Sequence, residues 1–267
     1  MTVTAARCPE EFLSLAGRLA EAARAVARRH FRERLPVEDK ADDSPVTRAD
    51  REAETAMRET IGAGYPGHGI HGEEFGVENP EAEFVWVLDP IDGTKRFITG
   101  NPLFGCLVAL LQGGRPILGV IDMPILGERW LGAAGHATTF TDAKGTREAR
   151  VRPCADLPAA TLLSTAPEMF QGDRAPAFDR LRGAAKLTLY GGDCFNYGLL
   201  ASGFTDLVVE ADLAPYDHLA HAPIIAGAGG IMTDWQGRPT GLDSDGCVLC
   251  AGDPRCHEQA ISLLQGG

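Results

Sequence analysis

One stretch, Phe84-Val85-Trp86-Val87-Leu88-Asp89-Pro90-Ile91-Asp92-Gly93-Thr94-Lys95, narrows the folds open to this chain more than any other. Its apolar run from Phe84 to Leu88 predicts a buried strand. The strand ends in two carboxylates three residues apart, Asp89 and Asp92, which Pro90 and Gly93 are expected to hold in a tight turn. Proline fixes one dihedral and removes a donor, whereas glycine admits a positive φ and lets a ligand approach the backbone. Thr94 then opens a predicted helix, where free N–H groups at Gly93 and Thr94 form an anion site. Asp-Pro and Asp-Gly turns usually do no more than face water. Two hard carboxylates at the end of a buried strand, next to an anion site, point instead to magnesium and phosphate.

Charge sharpens that reading. A net charge of −12 argues against a nucleic-acid backbone or an anionic membrane as partner. It would also repel a phosphate substrate unless metal ions inverted the local field. The residues from Met1 to Glu10 lack the charged-then-apolar pattern of a signal peptide, and no run approaches the ~18 apolar residues of a membrane span. The expected location is the cytoplasm, and the seven scattered cysteines fit reduced thiols. Cys247, Cys250, Cys256 and His257 are spaced superficially like a zinc cluster. Residues 246–251 read as a buried strand, however, in which Cys247 and Cys250 would point to opposite faces.

Residues 10–34 predict an amphipathic helix, with Phe12, Leu13, Leu15, Leu19, Ala23, Val26 and Ala27 on one stripe. A polar loop follows from Lys40, and Thr47 is placed to cap a helix from Arg48 to Ile61. Asp50 falls in its first turn, where capping alone accounts for it. Residues 62–67 fit G-x-G-x-x-G but follow a helix and contain Pro66, so a dinucleotide site is rejected. His68 and His71 are expected in a loop, and Glu73 and Glu74 on a solvated surface. Strands at 104–111, 116–123 and 128–132, with a turn at 112–115, predict an antiparallel meander. Beyond a boundary at 151–158, strands and helices alternate: strands at 160–164, 186–190, 205–210, 230–233 and 246–251, helices at 174–183, 193–202, 217–228 and 254–265. The fold class is thus α+β in an N-terminal subdomain, residues 1–150, and α/β in a C-terminal one, residues 151–267.

The string Asp89-Pro90-Ile91-Asp92-Gly93-Thr94 resembles the signature of the inositol monophosphatase family of magnesium-dependent, lithium-sensitive phosphatases. Tyr216-Asp217 opening a helix that ends in Ala228-Gly229-Gly230 resembles the family's second signature, with Tyr216 in place of the more usual Trp. The resemblance runs from Lys40 to Gly230 and implies a layered αβαβα fold. It implies that Glu73, Asp89, the carbonyl of Ile91, Asp92 and Asp217 hold Mg²⁺, two ions or three with a weaker one near Glu73. Asp50, Thr94 and Glu73 are then catalytic, preparing the attacking water, and the N–H groups of Gly93 and Thr94 hold the phosphate. The implied assembly is a homodimer. Without the resemblance, Asp217 reads as a helix cap, and His218 and His221 as packing residues that share its face.

Three segments, 95–105, 191–197 and 215–217, look closer to the histidinol-phosphate phosphatase branch of that family than to its inositol branch. The expected reaction is therefore hydrolysis of L-histidinol phosphate, a step of histidine biosynthesis. Asp92, Asp193, Glu210 and Asp217 are the expected substrate contacts. Asp193 either starts the helix at 193–202 or meets the substrate's cation, which neutral inositol lacks. Inositol monophosphate, 3′-phosphoadenosine nucleotides and fructose bisphosphate are the competing substrates. A regulatory protein that binds a phospho-ligand without turnover is the alternative outside enzymes.

Overall fold

The computed structural model describes residues 7–34, 36–39 and 45–266. Of the polar loop expected from Lys40, residues 40–44 lie outside that range. In chain order the elements are α1 (Glu10–His30), β1 (Val37–Asp39), β2 (Pro45–Thr47), α2 (Arg48–Gly64), β3 (Gly69–Gly72), β4 (Gly76–Glu78), β5 (Phe84–Asp92) and α3 (Thr94–Ile98). Then follow β6 (Gly105–Gln112), β7 (Arg115–Met123), β8 (Glu128–Ala133), β9 (Thr139–Asp142), β10 (Gly145–Glu148), β11 (Thr161–Ser164) and α4 (Arg174–Ala184). The chain closes with β12 (Leu187–Tyr190), α5 (Phe195–Ala201), β13 (Leu207–Glu210), α6 (Pro215–His218), α7 (His221–Gly227), β14 (Ile231–Thr233), β15 (Val248–Ala251) and α8 (Pro254–Leu264).

Two mixed sheets organise these elements, an eight-stranded one in the order β10-β9-β8-β7-β6-β5-β3-β4 and a five-stranded one in the order β12-β11-β13-β15-β14. Alternation along the strands sorts their side chains into layers. Trp86 and Leu88 of β5, with Val108 and Leu110 of β6, pack against the stripe of α1 and against Met57 and Ile61 of α2. Val85, Val87, Leu107 and Ala109 point the other way, into a core shared with α5, α7 and Val208 and Val248 of the second sheet. Leu207, Val209 and Leu249 on the second sheet's far face meet Phe178 and Leu181 of α4 and Ala260 and Leu264 of α8. The result is five layers, αβαβα. The middle layer lies unusually close to the first sheet. A Cβ at Gly119 would overlap the Ala220 carbonyl, and one at Gly132 would stand 2.6 Å from the Pro223 carbonyl. Among the described residues no helix is long and apolar enough to cross a membrane.

The structure departs from the sequence expectations in several places. The first helix ends at His30 and the second runs on to Gly64. His71 is not in a loop but in β3, a strand too short and polar to carry a period-two signal, which pairs parallel with β5. The helix expected at 217–228 is two, α6 and α7, and α5 begins at Phe195, leaving Asp193 outside it at φ 47°. Cys247 and Cys250 do diverge, into the outer and central cores.

Candidate active site

The site begins where β5 stops being regular. Strand β5 continues through Pro90 to Asp92, so the tight turn expected at Asp89 is a strand with a register shift against β6 between Asp89 and Asp92. In a regular strand those two side chains would face opposite ways; a bulge re-aims one of them. Here one carboxylate oxygen from each of Asp89, Asp92 and Asp217 lies within 4.8 Å of the others. Asp217 arrives from α6, where its carboxylate accepts the Ala214 N–H at 2.7 Å. The cap and the cluster therefore use the same residue. The Ile91 N–H donates to Asp89 at 3.0 Å and the Cys194 N–H to Asp92 at 2.8 Å, fixing both carboxylates.

Glu73 follows β3, its N–H bonded to the Leu88 carbonyl at 3.1 Å, and its carboxyl shares a hydrogen bond with Asp89. Burial pushes Asp89 well above the ordinary carboxylate range, and the charges of Glu73, Asp92 and Asp217 add to the shift. Asp92 is likewise pushed well above, by burial and then by Asp193. An all-oxygen donor set that repels itself at low exposure suits a hard dication, whose attraction would outweigh both the burial and the mutual repulsion of these carboxylates. The residues present thus fit magnesium.

Asp50 is fully buried and serves α2 and the site at once. Oδ2 accepts the Thr47 N–H at 2.8 Å and the Thr47 hydroxyl at 2.6 Å, while Oδ1 stands 3.4 Å from the Thr94 hydroxyl. That hydroxyl also lies 3.1 Å from the Ile91 carbonyl. Burial raises the Asp50 pKa, and the two Thr47 bonds oppose the rise. Gly93, at φ 82°, turns the chain from β5 into α3 just before Thr94, a backbone conformation that favours glycine.

A cleft of about 810 Å³ opens from the acids, with Lys95, Arg96, Asp193 and Glu210 on its walls. Asp193 is not an open carboxylate awaiting a cation: it is ion-paired with the Arg96 guanidinium. The turn Gly191-Gly192-Asp193 has positive φ throughout, and a Cβ at Gly191 would come 2.8 Å from Arg96, so glycine there makes room for the pair. Glu210 accepts the Thr165 N–H at 3.0 Å, the Thr165 hydroxyl at 2.5 Å and the Tyr197 hydroxyl at 2.7 Å. Burial nevertheless lifts its pKa to about 7. His221 stacks on Tyr197 with centroids 3.7 Å apart. Burial depresses His221 to about 3 and His218 to about 4, and neither joins the carboxylate cluster among the described residues. A larger hollow of about 1170 Å³, beside Pro116, Pro223 and Met232, contains none of the acids.

The Glu210 shift has a measurable sign. Between pH 4.5 and about 7 the folded carboxyl holds a proton that the unfolded one has lost, so stability falls as pH rises through that window. Glu210→Gln should flatten this loss, worth at most about 3 kcal/mol. Urea unfolding at pH 5 and pH 7.5 in chelator reads it directly. Equal pH slopes in the two proteins would contradict the assignment.

Several residues of the site escaped the sequence reading. Arg96 and Tyr197 lie in segments 95–105 and 191–197, whose resemblance gave neither residue a role, and Thr165 lies in a segment with no chemical motif. Glu54 could have been found, since it lies four residues after Asp50 on one helix face.

The model of the family described as "Inositol monophosphatase family" matches residues 9–266. The chain is 45% identical over 265 residues to bifunctional phosphatase IMPL2, chloroplastic, of Arabidopsis thaliana, covering 96% of this chain and 75% of that one. It is 38% identical over 239 residues to a histidinol-phosphatase of Chlorobaculum parvum, covering 88% and 90%. Among solved structures, an inositol monophosphatase from Zymomonas mobilis superposes with a TM-score of 0.87 at 46% identity, covering 96% of this chain and 98% of that one.

Proposed function

The chain belongs to the inositol monophosphatase family and is a phosphomonoesterase, and we propose that its substrate is L-histidinol phosphate. The convergence of Asp89, Asp92 and Asp217 beside the Asp50–Thr94 pair carries the reading of the reaction. The family is magnesium-dependent. Mg²⁺ held by Glu73, Asp89, the Ile91 carbonyl, Asp92 and Asp217 would supply charge neutralisation of the phosphoryl group and acidify water. Uncatalysed phosphate monoester hydrolysis is so slow that roughly 20 kcal/mol or more of stabilisation is required, nearly all of it positional and electrostatic.

The chain's own groups divide the remaining work. Asp50 orients the Thr94 hydroxyl, which in turn orients the attacking water, and Asp50 takes up its proton. A raised pKa makes Asp50 a better base than a solvated aspartate. The N–H groups of Gly93 and Thr94 hold the phosphoryl oxygens. The water attacks in line, so the ester P–O bond breaks on the opposite side, the alcohol oxygen leaves with a proton from solvent, and no side chain is phosphorylated.

Substrate choice is assigned to the cleft wall. L-Histidinol phosphate carries an ammonium and an imidazole, and Asp193 and Glu210 supply acids on that wall. An incoming ammonium would take over Asp193 from Arg96, leaving the guanidinium to the phosphate side. Relatives named histidinol-phosphatase support this reading. The inositol monophosphatase from Zymomonas mobilis, at 46% identity, favours inositol monophosphate as the second reading. A comparison of kcat/KM for the two esters decides between them. The expected preference for histidinol phosphate exceeds tenfold, and Asp193→Asn should cost ~10- to 100-fold on that ester alone, the worth of one charged hydrogen bond. Preference for inositol 1-phosphate, or equal losses on both esters, would remove Asp193 from this role. We also propose that the protein works as a cytoplasmic homodimer, which light scattering and fractionation would test.

A further inference from the structure

Glu54 has no part in the scheme above, yet it is wholly buried and lies behind the turn that carries Glu73. Its Oε2 accepts the Glu74 N–H at 2.7 Å and its Oε1 accepts the Phe75 N–H at 3.2 Å. Arg58, one turn further along α2, donates to Oε1 at 2.8 Å and to the Gly76 carbonyl at 2.6 Å. A Cβ at Gly72 would overlap the Glu54 carboxylate, so residue 72 must be glycine for the carboxylate to sit there. The turn is thereby pinned from two sides: Glu73 to the Leu88 carbonyl of β5, and the next two N–H groups to Glu54. Burying a carboxylate under a helix is costly unless its oxygens are bonded, and here the bonds go to the backbone directly after Glu73.

We propose that Glu54 is a positioning residue that holds Glu73 against Asp89, so that α2 contributes one acid to the proton transfer and a second to metal affinity. This rests on the reading of Glu73 as a metal ligand. Groups that orient a ligand from behind typically change metal affinity 10- to 100-fold.

Glu54→Gln keeps the volume but turns an amide N–H₂ toward one of the two backbone donors. Titration of the metal-free protein with Mn²⁺ by calorimetry should show about tenfold weaker binding. The Mg²⁺ concentration for half-maximal activity should rise by the same factor. At saturating Mg²⁺, kcat should return to within about threefold of wild type, with KM for the ester unchanged. Glu54→Asp, which keeps the charge but withdraws it by one methylene, should shift metal affinity in the same direction. In the unaltered protein, slow amide exchange at Glu74 and Phe75 is expected, whatever the variants' folding yield. Unchanged Mn²⁺ affinity in Glu54→Gln with a lowered melting temperature would make Glu54 purely structural and overturn the proposal. So would a kcat deficit that no Mg²⁺ concentration rescues, or fast exchange at both amides. Glu73→Gln run alongside separates the two failures. If it weakens Mn²⁺ binding while Glu54→Gln does not, only the positioning role falls; if it leaves binding intact, the ligand reading falls with it.

Discussion

Asp89→Asn lowers phosphate release by ~10²- to 10³-fold or more while the protein stays folded. Removing one well-placed electrostatic group commonly costs 10²- to 10³-fold, and Asp89 is at the centre of the cluster, meeting Asp92 and Asp217 on one side and Glu73 on the other. The asparagine oxygen can still accept the Ile91 N–H, so the bulge survives. Stability should respond in the opposite direction to activity. Asp89 is held well above its ordinary pKa by burial and by neighbouring charges. In the metal-free protein its ionisation therefore opposes folding, and wild-type stability declines as pH rises from the unfolded carboxylate value toward the folded one. Asp89→Asn lacks that decline and should melt no lower than wild type in chelator at neutral pH. Added Mg²⁺ should raise the wild-type melting temperature, as any ligand of the folded state does, and leave the variant unmoved. A variant with near-normal turnover, or one that melts far below wild type in chelator, would contradict this.

Asp50→Asn is the second large effect, with a different signature. Loss of a positioned base costs ~10²- to 10⁴-fold. The loss should fall on kcat, because Asp50 contacts Thr94 and Thr47 and is outside the close cluster of three aspartates. Mn²⁺ affinity should stay within a few-fold of wild type. Thr94→Val should cost a similar factor, and the double variant little more than either alone, since the two groups act as one unit. Multiplicative losses would mean that they act separately. Collapse of metal binding in Asp50→Asn would place the aspartate in the cluster rather than beside it.

The sequence made much of this architecture legible, for identifiable reasons. The stripe of α1 follows from hydrophobic period, and the burial of β5 and β6 on both faces from their unbroken apolar runs. Thr47 and Asp50 announce the start of α2 chemically, as a reciprocal cap. What was hidden depended on pairing between distant segments. Strand β3 has few apolar residues and exists because β5 supplies its partner groups. The rule that side chains three apart in an extended segment diverge holds for Cys250, in the regular register of β15, and Cys247, the residue just before that strand. The same rule would have separated Asp89 from Asp92, and a bulge overrides it. The Arg96–Asp193 pair joins residues 97 apart in sequence, through a left-handed turn that propensity does not locate. Glu54 shows in the sequence only through its spacing to Asp50 and Arg58; its bonds to the N–H groups of Glu74 and Phe75, which tie it to the Glu73 turn, leave no trace there.

The central claim is that acids from separate segments trap divalent cations at one point. Crystals soaked in Mn²⁺ and measured at its absorption edge test it without reference to turnover. Strong anomalous peaks should fall between Asp89, Asp92 and Asp217 and between Asp89 and Glu73, with Asp89 common to both and the separation near the ~4 Å of two-metal sites. Peaks confined to other carboxylates, with none touching Asp89 at saturating Mn²⁺, would contradict the account.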